Sequence, residues 1–185
     1  MAEFMLQRTG AAQTVPVYLA FLERFPTLER AFSANDIDLQ EILAPLGRAG
    51  RYKQLRQALK ALVEDHDRLV PCDEKKLLEL PGIGPYTARA ILVFAFNKSY
   101  GLFDPNIGRV LSRAFGIKSK KSRPHTDKEM WIAVDRLVSK RKPKEFNWAL
   151  LDLGRTVCTI REPKCGVCPM QSICNRYSGN AAGRH

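Results

Sequence analysis

Apolar residues recur every three to four positions along most of the chain, which is the spacing of amphipathic helices. The predicted helices cover residues 4–22, 28–32, 38–43, 51–63, 75–80, 86–96, 105–115, 127–137 and 147–157. No segment alternates between apolar and polar residues with the period of two that a strand would show. The pattern therefore predicts an all-α protein of about nine short helices.

Polar residues mark the starts of several of these helices. Thr27, Asp73 and Asp104 each stand one or two residues before a predicted helix, where a side-chain oxygen can accept a hydrogen bond from a free backbone N–H. Pro105 follows Asp104, and proline suits the first helical position because its missing N–H is not needed there. Asp104 is therefore predicted to cap a helix.

Composition and charge narrow the class of protein. The 185 residues are 45% hydrophobic and 26% charged, as in an ordinary soluble globular protein. Thirty Lys and Arg residues against 19 Asp and Glu give a net charge of +11, which favours a nucleic acid partner first and an acidic membrane surface second. The sequence has no apolar run long enough to span a bilayer and no secretory signal, so we expect a cytoplasmic protein without membrane association.

The sequence Leu-Pro-Gly-Ile-Gly-Pro-Tyr-Thr-Ala, residues 80–88, predicts a hairpin between two helices. Gly82 and Gly84 permit positive φ and a close backbone approach, and Ile83 between them would anchor the turn in the core. The next helix would begin near Pro85, with its first N–H groups available to an anion. A hairpin that binds phosphate and a plain tight turn between two core helices both fit these residues.

Four of the five cysteines lie within 17 residues, spaced Cys158-x6-Cys165-x2-Cys168-x5-Cys174. Without a secretory signal, disulfides explain this crowding poorly. Four thiolates could hold a structural zinc ion or an iron–sulfur cluster. The spacing alone leaves both open.

The hairpin and the cysteine pattern occur together, in this order, in the helix–hairpin–helix base-excision DNA glycosylases. Residues 3–174 resemble the iron–sulfur branch of that superfamily, which includes endonuclease III, MutY and the archaeal thymine–guanine mismatch glycosylases. The matching stretches are residues 80–88, 103–111, 146–154 and the four cysteines. The resemblance implies a 4Fe–4S cluster held by these cysteines, and a cleft that bends DNA and admits a flipped nucleotide. The implied organisation is a helical domain over 1–116 with the hairpin motif near 73–96, C-terminal helices with the cluster loop over 117–177, and a flexible tail over 178–185.

The same resemblance implies catalytic roles. Asp104 matches the carboxylate that stabilises positive charge at C1′ as the glycosidic bond breaks, and that orients a water. Tyr86 stands where lyase members carry a nucleophilic lysine, and a phenol cannot form a Schiff base. Glu3 matches the acid with which adenine-excising members protonate the departing base, and a solvated surface acid is the alternative for it.

Further residues match DNA contacts of the superfamily. Gly82, Ile83 and Gly84 match the hairpin that grips the phosphate backbone beside the extruded base. Gln7 and Arg8 stand where adenine-excising members have two glutamines, and this departure is closer to the thymine–guanine branch. Leu46 and Arg48 match a loop that fills the gap left by a flipped base, although an ordinary turn would explain them as well.

These implications predict a monofunctional glycosylase that hydrolyses the N-glycosidic bond of thymine or uracil mispaired with guanine, acting as a monomer on duplex DNA. No domain of the kind with which adenine-excising enzymes read 8-oxoguanine follows the cysteines, which favours this reading. Two alternatives remain: excision of adenine opposite 8-oxoguanine or guanine, and a non-catalytic iron–sulfur protein that binds DNA.

Overall fold

The structure is a computed structural model and describes residues 1–47 and 50–182. Every regular element in these ranges is helical, which confirms the all-α prediction. The α-helices are α1 (Ala2–Met5), α2 (Ala11–Arg24), α3 (Leu28–Ser33), α4 (Asp36–Leu43), α5 (Arg51–Glu64), α6 (Glu74–Glu79), α7 (Pro85–Phe94), α8 (Pro105–Phe115), α9 (Lys128–Leu137), α10 (Pro143–Asp152) and α11 (Asn175–Ala182). A π-helix, Leu153–Val157, continues α10, and short 3-10 turns occur at Ala44–Leu46, Pro124–Thr126, Cys165–Val167 and Gln171–Ile173.

The predicted caps are confirmed. Thr27, Asp73 and Asp104 each accept a hydrogen bond from the backbone N–H three residues later, at 3.3, 3.0 and 2.7 Å. Such caps satisfy donors that have no partner inside the helix.

Three elements differ from the prediction by more than two residues. The helix predicted over 4–22 is two helices, because residues 6–10 form a loop in which Arg8 has φ of +57°. The last long helix begins at Pro143 rather than Asn147, since Pro143 occupies its first turn. The predicted tail from Ser178 is helical as far as Ala182, in α11, and residues 183–185 lie outside the described part of the chain.

The chain forms two compact units, Met1–Leu92 and Val93–His185, and the division falls within α7. The core of the first unit comes from α1 to α5 and comprises Phe4, Met5, Val17, Phe21, Phe25, Ala31, Leu39, Leu43, Leu46, Leu55 and Leu59. In the second unit α8 packs against α10, the π-helix and α11. Its fully buried side chains include Leu102, Ile107, Leu111, Val134 and Asn147. The domain boundary predicted near residue 116 stays a prediction.

Among the described residues, no helix is long and apolar enough to cross a bilayer.

Candidate functional site

In the hairpin at residues 82–84, Gly82 has a positive φ, as its residue type permits, and Gly84 does not. Gly82 has φ of +81°, and a Cβ there would lie 3.0 Å from Phe4 Cε2. Gly84 is exposed, and a Cβ there would meet nothing within 4 Å. Ile83 is half-buried and packs against the core of the first unit, as predicted. The turn is thus anchored on one side while Gly84, just before α7, stays open to solvent.

Gln7 connects the loop between α1 and α2 to this hairpin. Its Nε2 donates hydrogen bonds to the Gly82 carbonyl oxygen at 2.6 Å and to Thr87 Oγ1 at 3.3 Å. Because this amide nitrogen is already engaged, Gln7 acts within the protein as a link between two segments 75 residues apart. Any contact of Gln7 with DNA would have to use its remaining polar atoms.

Residues 6–10, called here the entry loop, lie beside the turn that precedes α5. Thr9 Oγ1 lies 3.5 Å from the Leu46 carbonyl oxygen, and Gln13 Nε2 donates to the Pro45 carbonyl oxygen. Arg8 is exposed in the left-handed region. The first unit therefore brings together three segments for which the family resemblance implies DNA contacts: the entry loop, the turn at 45–47 and the hairpin at 82–84.

Leu46 differs from the sequence-based expectation. Its side chain is 5% exposed and belongs to the core of the first unit, so insertion into DNA would require it to leave that packing. Gly47, with φ of +68°, is the exposed residue next to it. Arg48, predicted to act with Leu46, lies outside the described residues.

Glu3 lies on α1 and is half-buried. Burial raises the pKa of its carboxyl group above the ordinary value, and the positive charge of the Met1 amino group opposes this shift. A raised pKa keeps a carboxylic acid protonated to higher pH, as a proton donor requires. Tyr86 lies in the first turn of α7 and is half-buried.

Asp104 stands in the second unit with both carboxylate oxygens engaged. Oδ1 accepts from the Ile107 N–H at 2.7 Å, and Oδ2 accepts from Asn106 Nδ2 at 3.0 Å. Asn106 Oδ1 in turn accepts from the Arg109 guanidinium at 2.9 Å, and Arg109 Nε donates to the Cys158 carbonyl oxygen at 2.7 Å. Two side chains thus connect the candidate catalytic carboxylate to the cysteine segment.

Sequence reasoning assigned no role to Asn106 and Arg109. Both lie in the stretch 103–111 that carries the family resemblance. Their separation of three places them on one face of α8, which is a signal that the sequence did contain.

The backbone that leads into Asp104 is fixed from two helices. The Gly101 N–H donates to Asp135 Oδ1 at 2.7 Å, and the Leu102 N–H donates to Asn147 Oδ1 at 2.8 Å. Asn147 is fully buried, and its Nδ2 also donates to the Tyr100 carbonyl oxygen at 2.9 Å. A side chain at Gly101 is excluded, because its Cβ would lie 2.2 Å from a methyl group of α9.

The four clustered cysteines line one cavity, whose wall also includes Arg113 and Gln171. The Arg113 guanidinium lies 3.5 Å from Cys158 Sγ and donates to the Thr159 carbonyl oxygen at 2.6 Å. No three His, Cys, Asp or Glu side chains in the described ranges are placed to hold a single metal ion. The donor set, four thiols around one cavity, suits a group that thiolates bind. Cys72, the fifth cysteine, is exposed and does not line this cavity.

Comparison with known families assigns the chain. Residues 1–136 match the family model described as HhH-GPD superfamily base excision DNA repair protein. The chain belongs to this superfamily. The helix–hairpin–helix glycosylase fold predicted from the sequence is thereby confirmed, whereas the cluster domain stays a prediction.

Two members of the HhH-GPD superfamily show how far the similarity extends. The chain is 40% identical over 183 residues to a thymine-DNA glycosylase of Aeropyrum pernix, an alignment that covers 97% of this chain and 82% of that enzyme. It is 35% identical to an adenine DNA glycosylase of Mycolicibacterium smegmatis, over 99% of this chain and 62% of that enzyme.

A solved structure agrees with this placement within the HhH-GPD superfamily. The structure of a thermostable thymine-DNA glycosylase superposes with a TM-score of 0.89 and 30% sequence identity. The superposition covers 96% of this chain and 82% of that one, so the fold is shared along nearly the whole length.

Proposed function

We propose that the protein is a monofunctional DNA glycosylase that removes thymine or uracil mispaired with guanine from duplex DNA. The observation that carries this proposal is the 40% identity to a thymine-DNA glycosylase over 97% of the chain. Uracil is thymine without the 5-methyl group, so a site that accepts thymine has room for uracil as well.

The proposed chemistry is hydrolysis of the bond between C1′ and the base nitrogen. As this bond breaks, its electron pair leaves with the base and positive charge develops at C1′. The Asp104 carboxylate, held at the start of α8, would stabilise that charge and orient the water that attacks C1′. Asp104 would accept a proton from this water, leaving an abasic sugar with a hydroxyl at C1′.

Glu3 is proposed to donate a proton to the departing base. The half-buried position of Glu3 supports this role, because removal from water favours the protonated form of its carboxyl group.

Tyr86 supports the monofunctional assignment. A lyase needs an amine that attacks C1′ and forms a Schiff base, and the Tyr86 phenol supplies none. The strand is therefore expected to stay intact at the abasic site until alkali cleaves it.

The proposed DNA contacts lie on the first unit. The hairpin Gly82–Gly84 would offer backbone donors to phosphate, and Arg8 and Arg48 are proposed as further contacts on the strength of the family resemblance alone. Gln7 would act there mainly by holding the hairpin against the entry loop. A monomer suffices for this arrangement.

We further propose that Cys158, Cys165, Cys168 and Cys174 hold a 4Fe–4S cluster. Their position around one cavity supports a shared group. Such a cluster would cross-link the C-terminal segment through four Fe–S bonds. Arg113, which reaches Cys158 Sγ and two backbone carbonyls of the same loop, would keep that segment in place.

Adenine excision is the second candidate, supported by the 35% identity to an adenine DNA glycosylase and by Glu3. End-labelled duplexes carrying T·G, U·G, A·G or A·8-oxoguanine, with T·A as the matched control, distinguish the two. We expect cleavage of the T·G and U·G strands only after heating in alkali. Cleavage confined to adenine strands would support the second candidate, and breaks without alkali would contradict the monofunctional assignment. Binding without excision of any duplex would leave a non-catalytic DNA-binding protein.

A further inference from the structure

A buried arginine holds the entry loop from the first turn of α5. Arg51 is 2% exposed. One of its terminal nitrogens donates to the Met5 carbonyl oxygen at 2.7 Å, and the other donates to the Gln7 carbonyl oxygen and to Thr9 Oγ1, both at 3.0 Å. One guanidinium therefore binds three alternate residues: Met5 at the end of α1, and Gln7 and Thr9 in the entry loop.

The entry loop needs such a restraint. Arg8 lies between two of these contacts with φ of +57°, a conformation that is unfavourable for residues that carry a side chain. Arg8 is exposed, so its own side chain is not held by packing. Arg51 holds the backbone carbonyl of Gln7 directly before Arg8 and the side-chain hydroxyl of Thr9 directly after it.

The restraint reaches the hairpin as well. Arg51 holds the Gln7 carbonyl oxygen, and the Gln7 side chain holds the Gly82 carbonyl oxygen at 2.6 Å. A change in the entry loop would therefore move the attachment of the hairpin to the rest of the first unit.

We propose that Arg51 is a positioning residue for mismatch recognition: it fixes the entry loop so that Arg8 faces the DNA and Gln7 holds the phosphate-binding hairpin in register with it. This inference rests on the proposed function, which places both segments against DNA. It assigns a recognition role to a side chain that is too buried to touch DNA itself.

Arg56 is a matched control on the same helix. Its guanidinium donates to the Phe32 carbonyl oxygen at 2.6 Å and to the Ala34 carbonyl oxygen, and it pairs with Asp36 Oδ1 at 3.0 Å. Arg56 thus lies on α5, like Arg51, and also binds backbone carbonyl oxygens. Its acceptors lie at the junction of α3 and α4, where there is no proposed DNA contact.

The experiment compares Arg51→Lys with Arg56→Lys in the full chain. Lysine keeps the positive charge but lacks the planar guanidinium group, so each variant loses some of the hydrogen bonds that its arginine makes to backbone and side-chain oxygens. Because net charge is unchanged, the non-specific attraction to phosphates should stay the same in both. The measurements are thermal unfolding, affinity for a T·A duplex, and single-turnover excision from T·G over a range of enzyme concentrations.

We expect Arg51→Lys to raise the half-saturating concentration for T·G about tenfold, the effect of losing roughly one charge-assisted hydrogen bond. Its affinity for T·A should stay within about twofold of wild type. Arg56→Lys should lower the melting temperature comparably and leave both DNA measurements unchanged. If Arg51→Lys does not fold, Thr9→Val removes a single acceptor of the same clamp and should shift T·G recognition in the same direction.

Equal effects of the two lysine variants on T·G, or equal weakening of T·G and T·A by Arg51→Lys, would overturn the inference. So would an unchanged half-saturating concentration in both Arg51→Lys and Thr9→Val. Wild-type protein tests the proposed function separately. If it excises adenine from A·G rather than thymine from T·G, the proposed function fails, and Arg51→Lys and Arg56→Lys are then compared on A·G. If wild type discriminates among no duplexes, both proposals fail.

Discussion

Replacing Asp104 by asparagine separates the two roles that this residue would combine, a helix cap and a catalytic carboxylate. In the structure, Oδ1 accepts the Ile107 N–H at 2.7 Å, and an asparagine oxygen can keep that bond. Oδ2 accepts from Asn106 Nδ2 at 3.0 Å, and the new amide nitrogen would face this donor without bonding to it. Asn106 cannot turn its oxygen towards the new amide without losing its bond to Arg109.

The expected effect on stability is therefore one lost hydrogen bond, about 1 kcal/mol, or a fall of roughly 2–4 °C in melting temperature for a chain of this length. Asp104→Ala also loses the cap, for a further loss of about 1 kcal/mol. The effect on excision should be far larger. Loss of a general base that also stabilises developing charge corresponds to roughly 10²–10⁴-fold in rate.

The assay is single-turnover excision from a T·G duplex at saturating enzyme, below the melting temperature of every variant and with alkali treatment of the product. Asp73→Asn is the matched control, because Asp73 caps α6 with a 3.0 Å bond and has no proposed catalytic role. We expect Asp73→Asn to keep the wild-type rate. An Asp104→Asn variant that excises within about threefold of wild type while folded would refute the catalytic assignment, since the predicted loss is at least about 10²-fold.

Three further predictions concern the acid, the cysteines and the hairpin. Burial raises the pKa of Glu3, so the contribution of Glu3 to stability is complete below its ordinary pKa and is lost as pH rises through the folded-state value. Thermal unfolding should therefore show that Glu3→Gln gains stability relative to wild type as pH rises towards neutral. Excision by wild type should fall over that same rise in pH, and the Glu3→Gln rate should be low and flat; a parallel profile would contradict the proton-donor role. Cys158→Ser should lose iron by elemental analysis and visible absorbance, whereas Cys72→Ser, outside the cavity, should keep the wild-type content. Gly82→Ala should lower the free energy of unfolding by more than about 1 kcal/mol because of positive φ and a 3.0 Å contact, whereas Gly84→Ala, in open space, should fold like wild type.

Local signals made much of the fold predictable. The helical period of apolar residues located most elements, and the polar residue before each of three helices was a correct cap, because both effects act within a few neighbouring residues. Gly82 of the hairpin was predictable as well, since only glycine tolerates that crowded position with its positive φ.

Conformations that depend on distant residues were not predictable. Residues 7–10 read Gln-Arg-Thr-Gly, a short polar stretch that the exposed face of one continuous helix would also explain, and the residue type of Arg8 does not indicate a left-handed conformation. That conformation is held by Arg51, more than forty residues away along the chain. Leu46 is a second example. An apolar residue in a turn is easily interpreted as an exposed wedge unless the core against which it packs is known.

Each unit positions its candidate site residues through a buried polar side chain bonded to backbone. In the first unit Arg51 binds the Gln7 carbonyl oxygen of the entry loop, and in the second Asn147 binds the segment that leads into Asp104. In a hydrophobic pattern such a residue is only a polar interruption of an apolar helix face. Removing it would nevertheless leave buried backbone groups without hydrogen-bond partners. Apolar burial decides where helices pack, but it is non-directional and does not fix a carboxylate or a loop to a fraction of an ångström. Hydrogen bonds from buried side chains are directional and can fix such positions. The residues that position these candidate site residues are therefore ones that the hydrophobic period alone does not single out.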